Sequence, residues 1–439
     1  MPIFTQVLKN KGFLNLWVNQ ILVQLSYNAL NFALIIWVFK LTSSNTAVAA
    51  LLFSIYLPAV IFGLFSGVLV DLMDRKKIVT FIDIFLSVLF FSLIFFKESY
   101  PAILLIAFLV NGLGQFYAPA ESSAIPLIVK KRQLLSANSI FSATLYSCFL
   151  LGFGLSGPLT HFFGINFVFG FGGFALFLGF VLATLFFPHI FAKPDEQGRK
   201  LLNALKKRKY ADIKEVGLYE IFQTLHLIRG KLSVLTSIGI LAGVQMVIGV
   251  LAVLFPSFLE IVLRIKATDA SYVFIIPLGV GIITGGIILG RGGSRVVRRL
   301  IVLRSIVFGG LLFLAAGISP LIILPPLEYM IIGSFLLGIA MVSILVPTQT
   351  VLQENTPNQD RGKVFAVLGV VMAGLSLLPV LLAGILADVF GVNSIFIGLG
   401  VVIIVIGLLG LKPSIFFKES DLPYNIREFL GLGHWSGKN

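Results

Sequence analysis

Charge is what this sequence has least of. Only 12% of its 439 residues are Asp, Glu, Lys or Arg, about half of the ~25% that a water-facing globule carries. Too few polar residues remain to cover a globule in water. That excludes a soluble domain, and with it the basic face a nucleic-acid partner would need, although the net charge is +14. The single cysteine, Cys148, forbids an internal disulfide; lying within an apolar run, it reads as a small packing residue. The four histidines, His161, His189, His226 and His434, are scattered. No constellation for metal or acid–base chemistry forms from them, so neither an enzyme nor a bound metal or cofactor is expected. A phosphate-cradling GxxxxGK[ST] loop is also missing, since GRGGSR at 290–295 has no lysine.

What the chain has in quantity is apolar sequence: 58% of the residues are hydrophobic and the mean hydropathy is +1.02. A helix needs about 20 apolar residues to cross the hydrocarbon layer, with every backbone polar group satisfied inside it. Twelve segments qualify, at 13–39, 46–70, 78–96, 101–121, 138–163, 166–188, 232–259, 270–290, 300–318, 327–348, 364–387 and 393–411. The first is far longer than the ~7–15 residues of a signal-peptide core and reads as a retained span. The expectation is an all-α integral membrane protein with twelve transmembrane helices in two six-helix bundles, 1–188 and 232–411. A cytoplasmic linker at 189–231 joins them, and a cytoplasmic tail follows at 412–439. Within the linker, Ile213, Val216, Tyr219, Phe222, Leu225 and Ile228 recur every three residues. That pattern suits a helix lying on the membrane surface or packed on the bundle ends.

Orientation follows from the cations. With both termini cytoplasmic, all but four of the 33 Lys and Arg fall on the inner side, the exceptions being Lys40, Lys97, Arg264 and Lys266. The halves also echo one another. In one register Gly67, Arg75 and Lys76 fall on Gly290, Arg298 and Arg299; in a similar one YAPAESSAIP falls on LVPTQTVLQE, setting Pro119 on Pro347. Two such correspondences at like places indicate pseudo-symmetric bundles of the kind from which transporters are built.

Polar residues inside the spans are few. In NQILVQLSYNALNF of span one, Gln20, Gln24, Tyr27 and Asn31 form one stripe at helical spacing. Buried polar groups need partners, so the stripe either lines a central cavity, the reading taken here, or bonds helix to helix. Gln115, Gln245, Thr348 and Gln349 extend the lining, and the 42 phenylalanines supply apolar walls. A cavity of this kind suits a bulky lipophilic or amphiphilic molecule. Asp83 and Arg304, near the inner ends of spans three and nine, have first a structural reading.

Three stretches, GVLVDLMDRKK, FYAPAESSAIPLIVKKRQLLSANS and VPTQTVLQENTPNQDRGKVF, make the chain resemble the major facilitator superfamily, in particular its macrolide-efflux and enterobactin-exporter branch. The resemblance implies a secondary transporter of the plasma membrane, a monomer exporting a small lipophilic substrate as a proton antiporter, with membrane lipids as neighbours and drug resistance as a consequence. It also implies a cytoplasmic latch. Gly67 would allow close helix approach, Asp71 would face a helix N-terminus, and Arg75 would fork onto Glu121. In the second half Arg298 and Glu354 would match that contact, with Arg361 on the rim. GFGLSGP, with Gly152, Gly154, Gly157 and Pro158, resembles the antiporters' glycine-rich stretch and would pack tightly between halves. The sequence departs from the pattern at Leu72, at Glu121 and at Asn28, where relatives often carry an acid. The titratable groups left to carry protons are Asp83 and Glu121. The alternatives of the same fold are a lipid or lysolipid flippase and a gradient-independent facilitator.

Overall fold

Each apolar run folds as a helix, the conformation that closes its own backbone hydrogen bonds where lipid offers none. The computed structural model describes residues 3–71, 73–187, 232–292, 298–319, 326–356 and 361–411. The linker pattern at 213–228 and the tail at 412–439 lie outside the described residues. After a short helix, Ile3–Leu8, the first half holds α1 (Lys11–Thr42), α2 (Asn45–Asp71), α3 (Arg75–Phe96), α4 (Tyr100–Ile128), α5 (Leu134–Phe163) and α6 (Ile165–Phe186). The second holds α7 (Leu232–Ser257), α8 (Ile276–Gly292), α9 (Arg298–Gly317), α10 (Pro326–Glu354), α11 (Arg361–Phe390) and α12 (Val392–Leu411). All twelve, α8 taken with the turns that lead into it, are long and apolar enough to cross a membrane.

Helix α4 runs on to Ile128 and α10 to Glu354, past the expected ends of spans four and ten, with Pro119, Pro126 and Pro347 inside them. Hydropathy stops at the first polar residues, whereas backbone hydrogen bonding carries the helix beyond them. Local caps explain two of the starts. Asn10 accepts from the N–H groups of Gly12 and Phe13 ahead of α1, and its amide reaches the Ile128 carbonyl at 3.0 Å. Asp74 accepts from the N–H of Lys76 to begin α3. At the other end of α1, Trp37 donates to the Lys97 carbonyl at 2.8 Å, while the ammonium groups of Lys40 and Lys97 lie 5.6 and 5.8 Å from its ring centre. An indole held among cations in this way suits a membrane–water boundary.

By contacts the chain forms two units. The first takes the chain up to Thr42 and from Ala50 through α6; the second takes Ser43–Ala49 and the described chain from Leu232 onward. The start of α2 is therefore counted with the second unit. Helix pairings repeat between the units: α1 packs on α5 as α7 does on α11, and α3 packs on α6 and α4 as α9 does on α12 and α10. The fifth and sixth helices of each half are joined at a glycine with positive φ, Gly164 at 79° and Gly391 at 81°. Each donates its N–H back to the helix it ends, to Thr160 and Ala387 respectively, the left-handed cap that a side chain resists. The pairing of first and sixth helices differs between the units. α1 packs closely on α6, whereas α7 and α12 line a common cavity.

Candidate functional site

The polar residues of α1 point in more than one direction, and this decides which of them meet. Asn19 turns between α3 and α6, where its amide donates to Asp83 Oδ2 at 2.7 Å and to the Gly179 carbonyl at 3.0 Å. Its own oxygen accepts from the Tyr117 hydroxyl of α4 at 2.6 Å, and that hydroxyl also lies 3.2 Å from Glu121 Oε1. Asp83, Asn19, Tyr117 and Glu121 thus form one string, every member at most 2% exposed. The other oxygen of Asp83 has no hydrogen-bond partner among the described residues.

Tyr117 has one hydrogen and two acceptors around it. If it donates to Asn19, the contact with Glu121 is a hydrogen bond only when the Glu121 carboxyl carries a proton and donates in turn. If Glu121 is ionised, the hydroxyl must swing towards it and leave Asn19. The string therefore has two forms, differing by one proton and by the direction of one hydroxyl. Asp83 and Glu121, expected singly as proton carriers, are linked through two neutral side chains.

Further along the same pair of helices, Tyr27 donates to Asn111 Oδ1, and Asn111 donates to Asn31 Oδ1 at 3.3 Å. The Gln115 amide reaches the Asn111 carbonyl at 3.5 Å. The Tyr27 ring packs over Gly114, where a Cβ would touch it at 3.4 Å. Of the expected cavity residues, Tyr27, Asn31 and Gln115 therefore meet on one polar seam between α1 and α4.

Gln20 does not join them. It is fully buried against α5, donating to the Phe141 carbonyl at 3.2 Å, so it binds helix to helix instead of lining a cavity. Gln24 is half-buried, and its carbonyl accepts from the Asn28 amide at 2.7 Å. The Asn28 amide is thus held within its own helix. In the second unit Thr348 is fully buried and donates to the Ile344 carbonyl of its own helix, which removes it from a cavity wall. Gln245 and Gln349 are half-buried, and no described hydrogen bond joins them.

The latch residues also differ from expectation. Arg75 is 1% exposed and folds into its own unit, with Nε donating to Ser123 Oγ at 3.4 Å and Nη1 to the Met73 carbonyl at 3.3 Å. The fork onto Glu121 is not formed: Arg75 is turned to Ser123, which lies about 200° further round α4. No described atom lies within 4 Å of a Cβ built at Gly67, so among the described residues no close approach is made there. Glu354 is exposed at the end of α10. The side chains of Asp71, Arg298 and Arg361 lie outside the described residues. Gly152 does make a close approach, but to α1 of the same unit, where its Cβ would come within 2.7 Å of Asn28 Cβ. Gly154 and Gly157 are buried with it, and Pro158 lies inside α5.

Sequence reasoning missed a clasp in the second unit. Asp388 of α11 accepts from the N–H groups of Asn45 and Thr46 at 2.8 and 2.9 Å. It also accepts from the Ser44 and Thr46 hydroxyls at 2.7 and 2.6 Å and from the Asn45 amide at 2.9 Å. Asn45 in turn accepts from Ser257 at 2.6 Å. A carboxylate from elsewhere in the chain thus caps the first turn of α2.

The pattern of the Major Facilitator Superfamily matches residues 16–322 and 303–424. The chain belongs to this family. Its relatives include macrolide efflux protein A of Streptococcus pyogenes, 24% identical over 90% of this chain and 94% of that one. Another is the multidrug efflux pump Tap of Mycolicibacterium fortuitum, 24% identical over 83% and 86%. Among solved structures, the POT family transporter PepTSo superposes with a TM-score of 0.69 over 93% of this chain and 99% of that one, at 14% identity. As a member of the superfamily the protein is a multi-pass membrane transporter and not an enzyme.

Proposed function

We propose that this protein exports a lipophilic or amphiphilic small molecule across the plasma membrane by alternating access, exchanging it for protons carried by Asp83 and Glu121. The string through Asn19 and Tyr117 is the observation that supports this reading most directly. Two buried carboxyls with neutral side chains between them are expensive to ionise together, and the turn of Tyr117 links the charge state of Glu121 to the hydrogen bonding of Asn19, which in turn holds Asp83. Tyr27 and Gln115, the half-buried members of the seam, supply weakly polar contacts for a mainly apolar substrate. The latch at the inner rim is assigned to Asp71, Arg298, Glu354 and Arg361 from the sequence pattern. Relatives named for efflux of macrolides and of several drugs agree with export. The protein works as a monomer with both termini in the cytoplasm.

The test is transport by the purified protein in liposomes, using a macrolide and a lipophilic dye, with and without a proton gradient. Gradient-driven flux should fall at least tenfold in Asp83→Asn and in Glu121→Gln, while gradient-free exchange persists. Wild-type flux indifferent to the gradient would end the antiport reading and leave a facilitator or an amphiphile flippase. A C-terminal tag should be reached by an impermeant reagent only in inside-out vesicles.

A further inference from the structure

The first unit is solid where α1 meets α6: Asn19 reaches the Gly179 carbonyl, and a Cβ at Gly179 would lie 3.1 Å from Asn19 Nδ2. The corresponding place in the second unit is hollow. A cavity of about 420 Å³ lies among α7, α9, α10 and α12, and a second of about 320 Å³ adjoins it, with Leu251, Phe313 and Leu337 in the wall of both. The larger volume lies within the range of ligand pockets. From Thr236 to Leu251 it follows α7 for about 22 Å, so it is long and narrow.

Three of the four glycines in the wall of the larger cavity are unlike those of ordinary helix packing. A Cβ at Gly310, Gly400 or Gly407 would collide with the facing helix at 2.6–2.7 Å. A Cβ at Gly239, Gly243 or Gly309, all in the wall of the larger cavity, would meet nothing within 4 Å. Close approach of helices does not require glycine at these three positions; their effect is to keep the space open. Apolar walls gain dispersion contacts from an apolar occupant that fits between them. Arg299 is the one charged residue among the described lining residues, and it is tied to the mouth by donating to the Gly410 carbonyl at 2.9 Å.

We propose that this cavity binds a single-chain anionic amphiphile, a long-chain fatty acid drawn from the membrane, with its tail between α7 and α12 and its carboxylate at Arg299. A single narrow space takes one chain better than the two of a phospholipid, and the lone cation matches a carboxylate. The inference stands apart from the export reading, since it uses neither the polar string nor transport.

The experiment uses the full-length protein in nanodiscs of zwitterionic phospholipid, titrated with fluorescent parinaric acid and competed with oleate. Saturable binding displaced by oleate is expected. Gly243→Leu and Gly309→Leu, which grow into open space from opposite walls, should each weaken it at least tenfold while keeping the wild-type melting temperature or raising it. Arg299→Gln should weaken oleate about tenfold and leave oleyl alcohol unchanged. The proposal is overturned by absent saturable binding, by binding that both filling variants leave intact, or by oleate and oleyl alcohol binding equally to the wild type. Displacement by an anionic phospholipid but not by oleate would overturn it as well.

Discussion

Tyr117 is the residue that couples the two acids, because its hydroxyl is the shared neighbour of Asn19 and Glu121. Tyr117→Phe keeps the ring in its buried place and removes only that hydroxyl. Gradient-driven efflux should drop at least tenfold, and thermal stability should fall by about 1–3 kcal/mol as buried acceptors lose their donor. Parallel transport and melting measurements check both. Asp388 offers a contrast, since its five contacts hold a helix start and take no part in the string. Asp388→Ala should lower stability by about 1 kcal/mol, the usual worth of a helix cap, and a thermal-shift assay would detect it. Neither residue stood out in the sequence. Tyr117 lies one turn before Glu121, the spacing of a same-face pair, and that was the one local signal of the string. Asp388 reaches Asn45 across most of the chain, and no local pattern announces such a contact.

At the scale of helices, composition made the spans plain, because a lipid-crossing run must be long and apolar wherever it packs. Rotation about each helix axis was not plain, and it decides the site. Gln20 and Tyr27 share a stripe at helical spacing, yet one bonds to α5 and the other to α4. Arg75 meets α4 as expected but finds Ser123 in place of Glu121. Close helix crossings give a sharper forecast. α8 and α10 cross where a Cβ on Gly338 would lie 2.1 Å from the Leu278 carbonyl oxygen, a backbone atom that cannot move aside. Gly338→Val should abolish folded, monodisperse protein in size-exclusion chromatography. Gly369→Ala, in α11 with nothing within 4 Å, should elute normally and melt slightly higher, since alanine is the better helix former.

Across the whole molecule, the two-fold repeat written in GVLVDLMDRKK and its echo became repeated helix pairings and a repeated glycine turn. What the repeat concealed is where the halves depart from one another. A cavity is the absence of side-chain volume, and glycines are common in membrane helices for other reasons, so Gly239, Gly243 and Gly309 carried no signal until their surroundings were known. The hollow has a mechanical side. Folded states yield to hydrostatic pressure in proportion to the void that unfolding removes. The delipidated wild type should therefore lose its structure at a lower pressure than Gly243→Leu does, and compression should soften the second bundle before the first.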